Sequence, residues 1–126
     1  MEYDNNPIES TTTTQGLVIN RIFTKPEISA YDMFEYERRG STIRNPDGSV
    51  VFDMQNVEVP KQWSQIATDI LAQKYFRKAG VPEIGSENSI KQVVHRMVGC
   101  WTDWGTKYGY FNSTKDSKSF YEEMSY

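Results

Sequence analysis

Between Pro60 and Gly80 the apolar residues Trp63, Ile66, Ala67, Ile70, Leu71, Tyr75 and Ala79 recur at steps of three and four. That spacing places them on one face of an α-helix, with Lys61, Gln65, Asp69, Gln73 and Lys78 mainly on the wet side. Pro60 suits a first helical turn, where its missing N–H costs nothing. Lys74, Arg77 and Lys78 oppose the negative end of the helix dipole. Gly80 tolerates a left-handed C′ position, and Pro82 follows as a stop. The pattern predicts a helix over 60–80.

A second helical seam starts downstream. Ile90, Val94, Met97, Trp101, Trp104 and Tyr108 recur at alternating steps of four and three, and Val93 and Val98 widen the stripe. Ser86 is its candidate N-cap, Glu87 falls in the favourable first turn, and Gly105 and Gly109 flank its end. Ser113-Thr-Lys-Asp116 has capping-box form and opens a third helix with Phe120, Tyr121 and Met124 as its stripe. No Gly, Asn or Pro closes that helix before Tyr126, so a cut there is the expectation.

The front of the chain alternates with a period of two. Asn45-Pro46-Asp47-Gly48 is the clearest turn. Thr42–Arg44 before it and Val50–Phe52 after it predict a β-hairpin, with Val57 and Val59 continuing the alternation. Tyr31–Tyr36 reads as a strand with one wet face, and the β-branched run Leu17–Phe23 as a further short strand. Residues 1–16 are polar and lack periodicity, which predicts a disordered tail. The expected class is α+β, with a hairpin and short strands followed by three amphipathic helices over 17–126.

Composition narrows the function more than the fold. The 126 residues suffice for one small core. The net charge of −3, with no basic stripe, argues against nucleic acid as a partner. No apolar run reaches the roughly 20 residues of a membrane span, and no signal-peptide order is present. A cytoplasmic protein is the default.

The candidate chemical groups are sparse. His95 is the only histidine and Cys100 the only cysteine. Five residues apart on a helix they point about 140° apart, which prevents a shared ion. His95 is read as solvated. Cys100, late in its helix beside Trp101, is read as a packing residue. The paired carboxylates Glu35/Glu37 and Glu122/Glu123 are read as solvated faces rather than an acid–base pair. Arg38-Arg39 is read as a structural ion pair with Glu35 or Glu37, ahead of a phosphate clamp. Trp63, Trp101 and Trp104 are read as core.

Several of these stretches carry a family resemblance. VEVPKQWSQIATDILAQKYFRKAGVP resembles the VP-x-x-WSQ-x-A…KYFR segment near the start of vitamin B12-dependent (class II) ribonucleotide reductases. Upstream, RIFTKPEISAYDMFEYERRGSTIRNPDGSVVFDMQNVEVP is similar to the family's FTKP…ER…I-x-N…G-x-VVF lead-in. Downstream, SIKQVVHRMVGCWTDWGTKYGYFNSTKDSKSFYEEMSY is similar to its S-x-Q-x-x-x-R…WG…GYF…FY-x-E stretch. Roughly residues 17–126 take part.

The resemblance implies an N-terminal segment preceding an α/β barrel, in an oxidoreductase that makes deoxyribonucleotides for DNA synthesis. It implies adenosylcobalamin, a thiyl radical, a reducing cysteine pair, thioredoxin-type reductants and nucleotide effectors for the complete enzyme. A complete protein would be a ribonucleoside-diphosphate reductase, although nothing in these residues separates di- from triphosphates. That mechanism needs at least three cysteines, and this chain has Cys100 alone. No catalytic, cofactor-binding or metal-binding residue is therefore carried over. The expected role is to cap or buttress the barrel entrance, with the rest of the barrel as partner. The other reading is a free-standing, non-catalytic helical module that binds a protein. The two differ in whether coding sequence with cysteines follows Tyr126.

Overall fold

The structure, a computed structural model, describes residues 15–126. The expected tail lies outside the described residues up to position 14. The chain divides into two units: Tyr31–Met97, and Val98–Tyr126 together with the chain up to Ala30.

The first unit is built on an antiparallel hairpin of β1 (Tyr36–Arg44) and β2 (Val50–Pro60). The predicted turn closes it. Gly48 N donates to Asn45 O at 2.9 Å, and Asp47 Oδ1 accepts from Ser49 N at 2.9 Å. Gly48 sits at φ 87°, a conformation that glycine adopts without strain.

The alternation along β2 does not run straight through. Phe52 and Met54 pack against the same core as Val57 and Val59, although the two pairs differ in parity. A bulge reconciles them. Arg39 pairs with Val57 but Ser41 with Met54, so Gln55 and Asn56 face Gly40 alone, and Asn56 takes the left-handed φ of 58°. One extra residue on one strand moves every later side chain to the other face.

The predicted 60–80 helix is corrected at both ends. Pro60 is the last residue of β2. The helix α1 spans Gln65–Ile70, with Ser64 as N-cap accepting from Ala67 N. It continues as a π turn, Leu71–Tyr75, and stops at Phe76, which is extended. The buried face is also rotated from the predicted stripe. Thr68, Leu71, Ala72 and Phe76 are buried, whereas Ile66 is 72% exposed and Ile70 48%. Leaving the helix at Phe76 drops that ring into the core formed by Val57, Val59, Leu71, Ala72 and Val93.

The longest helix, α2 (Ile90–Lys107), begins three residues later than an N-cap at Ser86 would place it. Ser89 and Gln92 supply the capping box instead. Ser89 Oγ accepts from Lys91 N, and Gln92 Oε1 accepts from Asn88 N and Ser89 N. Val93 and Val98 are buried, but Met97, Trp101, Trp104 and Tyr108 are exposed. The two tryptophans of this seam are thus not core residues, and Trp63 is only partly buried against the core.

In the second unit α2 ends before Gly109, at φ 69°. Gly105 lies inside the helix, two residues before its end, so the two glycines flank that end as expected. A Cβ on Gly105 would stand 2.4 Å from the Phe111 ring, so the glycine admits Phe111, which packs on Phe120 at 5.2 Å. The predicted third helix, α3 (Thr114–Ser125), is capped by Ser113, whose Oγ accepts from Asp116 N. Leu17–Phe23 is not a strand. Leu17 makes one bridge, to Phe111, and the rest follows an irregular path. Tyr31–Tyr36 is likewise not a strand, since Ala30–Met33 is a 3-10 turn and β1 starts only at Tyr36.

Candidate functional site

Three constellations stand out, two polar and one apolar. The first sits in the hairpin unit. Arg39, on β1, points across to the start of α1, with its side chain 14% exposed. Its Nε pairs with Glu37 Oε1 at 2.7 Å. Nη1 donates to Trp63 O at 2.6 Å and to Thr68 Oγ1 at 2.9 Å, and Nη2 donates to Lys61 O at 2.9 Å. All three nitrogens of the fork are engaged by protein groups, so it locks the strand to the helix rather than waiting for a phosphate. Arg38 turns to Glu58 and Asn56 O, and Glu35 pairs with Lys61.

Lysine cannot reproduce that fork, because its donors radiate from a single nitrogen. Arg39→Lys is expected to lower stability by about 1–2 kcal/mol. A urea midpoint equal to that of the parent protein would show that the clasp carries no weight.

The second constellation was misread from sequence. Glu87 lies before α2, not in its first turn, and is 1% exposed. Arg96 grips it with two bonds, Nε to Oε2 at 3.0 Å and Nη2 to Oε1 at 3.1 Å. Arg77 N adds a third at 2.8 Å, and Arg96 also reaches Tyr75 O. Burial pushes the Glu87 carboxyl upward, but the bonds from Arg96 and Arg77 outweigh it and hold the pKa below the ordinary value.

The carboxylates of α3 form a related device in the other unit. Glu123 accepts from the backbone N–H groups of Ile22, Phe23 and Thr24 and from the Thr24 hydroxyl at 2.6 Å. The Thr24 hydroxyl and these amides bring its pKa down to about 2. Glu122 accepts from Ala30 N at 2.6 Å, and Asp116 from Ile19 N at 2.9 Å. The pair Glu122/Glu123 is therefore a fastener for the chain before Ala30 and not a solvated face. Nothing in the spacing of α3 alone could have revealed its partners.

The third constellation is a groove of about 410 Å³ between the π turn of α1 and the first half of α2. Trp63, Ile70, Tyr75, Ile90, Val94 and Met97 line it. His95 is exposed on α2 and Cys100 half-buried. Among the described residues no three His, Cys, Asp or Glu side chains gather as a metal cluster. No helix among them is long and apolar enough to cross a membrane.

These features describe an α+β segment in which Arg39, Glu87, Arg96 and Glu123 hold the protein's own chain and in which the hairpin unit opens an apolar groove. The family of class II vitamin B12-dependent ribonucleotide reductases matches residues 37–126, from the hairpin to the end of α3. The chain is 44% identical to the vitamin B12-dependent ribonucleotide reductase of Bradyrhizobium diazoefficiens, over 86% of this chain and 11% of that protein. It is 40% identical to that of Agrobacterium fabrum over 86% of this chain and 11% of that protein, and 39% identical to that of Streptomyces clavuligerus over 94% and 12%. The chain belongs to the class II vitamin B12-dependent ribonucleotide reductase family. It spans about one-ninth of the length of the curated relatives it matches.

Proposed function

We propose that this chain is the N-terminal segment of an adenosylcobalamin-dependent ribonucleotide reductase, and that its part in that enzyme is structural. The complete protein reduces ribonucleotides to deoxyribonucleotides by a thiyl-radical route in the cytoplasm. Thioredoxin-type proteins restore its thiols and nucleotides regulate it. The observation that carries this reading is the family match over the hairpin and all three helices, in a chain whose only cysteine is Cys100. A thiyl radical and a reducing cysteine pair need at least three.

The residues present do not fit the cobalamin. Its corrin carries amide side arms that need hydrogen-bond partners, and the groove offers only the Trp63 indole and the Tyr75 phenol. His95 lies on an exposed face of α2, away from the groove lining. What these residues do instead is hold shape. Arg39 fixes the hairpin to α1, Glu87–Arg96 fixes α2 to the chain after the π turn, and together they present a rigid apolar surface to the barrel.

The test is a replacement. This chain, put in place of the matching segment of the Bradyrhizobium diazoefficiens reductase, is expected to leave cobalamin-dependent deoxyribonucleotide formation in place. The isolated chain is expected to form none and to leave the adenosylcobalamin spectrum unchanged. A folded chimera without activity would overturn the assignment. A spectral shift with the isolated chain would overturn the structural role.

A further inference from the structure

We propose that the apolar groove between the π turn and α2 is the seat of an apolar ridge from the catalytic portion of the same reductase polypeptide. The inference rests on the reading of the chain as a reductase segment and names the surface by which it docks.

The chemistry of the lining selects the occupant. Of the lining residues only Trp63 and Tyr75 carry a side-chain polar atom. The volume of about 410 Å³ would admit a small ligand, but such ligands are oriented by convergent polar groups, which this lining lacks. A row of leucine-, isoleucine- or phenylalanine-like side chains needs none. Ile70, Tyr75 and Met97 remain exposed around the groove, whereas Leu71 and Val93 beneath them belong to the closed core. The surface is thus a continuation of the core that lacks its last layer.

The wall of the groove is itself unusual. Leu71–Tyr75 is a π turn, with Phe76 N donating to Leu71 O at 3.1 Å. A π turn inserts a residue into the helix and is frequent at functional positions. Here it separates Ile70 and Tyr75, which both line the groove, while Phe76 turns into the core. The same turn shapes the groove and closes the domain.

The source of the ridge follows from length. The relatives are about nine times as long as the span matched here, so in them this surface is covalently tied to a far larger body. Tethering supplies a local concentration in the millimolar range, at which even a modest apolar patch stays occupied. A second copy of the chain has no such advantage.

The chimeric reductase described above provides the test, with oxidative footprinting of Met97 and Tyr75 as its readout. Both side chains are expected to react at least about fivefold more slowly in the chimera than in the isolated chain, as burial excludes the oxidant. Ile70→Asp should restore their reactivity, because a seated ridge would leave the new charge buried and unpaired. An active chimera in which Met97 reacts as fast as in the isolated chain overturns the groove proposal and leaves the reductase assignment standing. An inactive, folded chimera with Met97 protected does the reverse.

A second measurement covers a chimera that fails to fold. The isolated chain is titrated against the Bradyrhizobium diazoefficiens reductase lacking its matching segment. Binding weakened on the order of tenfold or more by Ile70→Asp supports the proposal. Binding indifferent to that change, or no binding, overturns it. A dimer of the isolated chain by light scattering that Ile70→Asp converts to monomer also overturns it, in favour of a second copy.

Discussion

Replacing Arg96 with methionine is expected to lower the stability of the protein by about 3 kcal/mol, a large share of the ~5–15 kcal/mol that holds a domain of this size. Methionine keeps most of the stem and its packing. It removes the two guanidinium bonds to Glu87 and leaves a carboxylate at 1% exposure with only Arg77 N as a donor. An unpaired buried charge costs more than the pair contributes, so the double variant Glu87→Leu with Arg96→Met should recover much of the loss.

The pH dependence separates this account from simple loss of packing. In the parent protein the folded-state pKa of Glu87 lies below the ordinary carboxylate value. Its contribution is then complete above the unfolded pKa of about 4.3 and is lost as pH falls through the lower folded value. In Arg96→Met burial dominates and the folded pKa rises above the unfolded one. That variant loses stability as pH climbs from about 4.3 through the raised pKa. Urea unfolding at several pH values between 4 and 7 reads the difference. Parallel curves for the two proteins would reduce the Glu87–Arg96 pair to ordinary packing.

Glu123→Ala is expected to release the chain around Ile22–Thr24 from α3. Thr24 is buried at 5% exposure, and three successive backbone N–H groups plus its hydroxyl all end on the Glu123 carboxylate. Removing the acceptor leaves the buried Thr24 donors without their partner, which buried groups rarely tolerate, and returns the exposed Ile22 and Phe23 amides to water. Amide hydrogen exchange at Ile22, Phe23 and Thr24 should accelerate, while the amide of Ile19, held by Asp116, keeps its protection.

Acid does reversibly what the alanine does permanently. With the folded pKa at about 2 against an ordinary 4.5, the fastening is complete above pH 4.5 and is lost as pH falls toward 2. Protection at these three amides should follow that window in the parent protein and show no such step in Glu123→Ala. Equal protection in both proteins across the window would mean that Glu123 does not hold the segment.

The contrast between the two halves of this chain's polar chemistry is one of range. Asp47 and Gly48 make their turn with residues two or three positions away, and Ser113 caps α3 through Asp116. Such contacts are written into five-residue windows, so the hairpin, the third helix and the stop at Gly109 were legible in the sequence. The same holds for the family likeness, carried by contiguous strings over roughly residues 17–126, of which residues 37–126 match the family as a whole.

What the sequence left open depended on partners far along the chain. Thr24 and Glu123 are 99 residues apart, and no local pattern distinguishes a solvated Glu-Glu pair from one that collects backbone amides. Glu87 reads as a helix-start carboxylate until the chain after the π turn brings Arg77 N, and α2 brings Arg96, against it. The apolar stripe of α1 was visible, but its phase was not. Burial of Phe76 beside Val57 and Val59 rotated the buried face to Thr68, Leu71 and Ala72 and left Ile66 and Ile70 outside. The bulge at Gly40 likewise answers a demand from the core, that Phe52, Met54, Val57 and Val59 share one face. Thus sequence by itself determined the hairpin and the three helical segments, though not the strands expected at Leu17–Phe23 and Tyr31–Tyr36, because a turn or a helix is settled by neighbours along the chain. Only the tertiary structure decided which faces close and which carboxylates bind backbone, because those are settled by the groups that folding brings within reach.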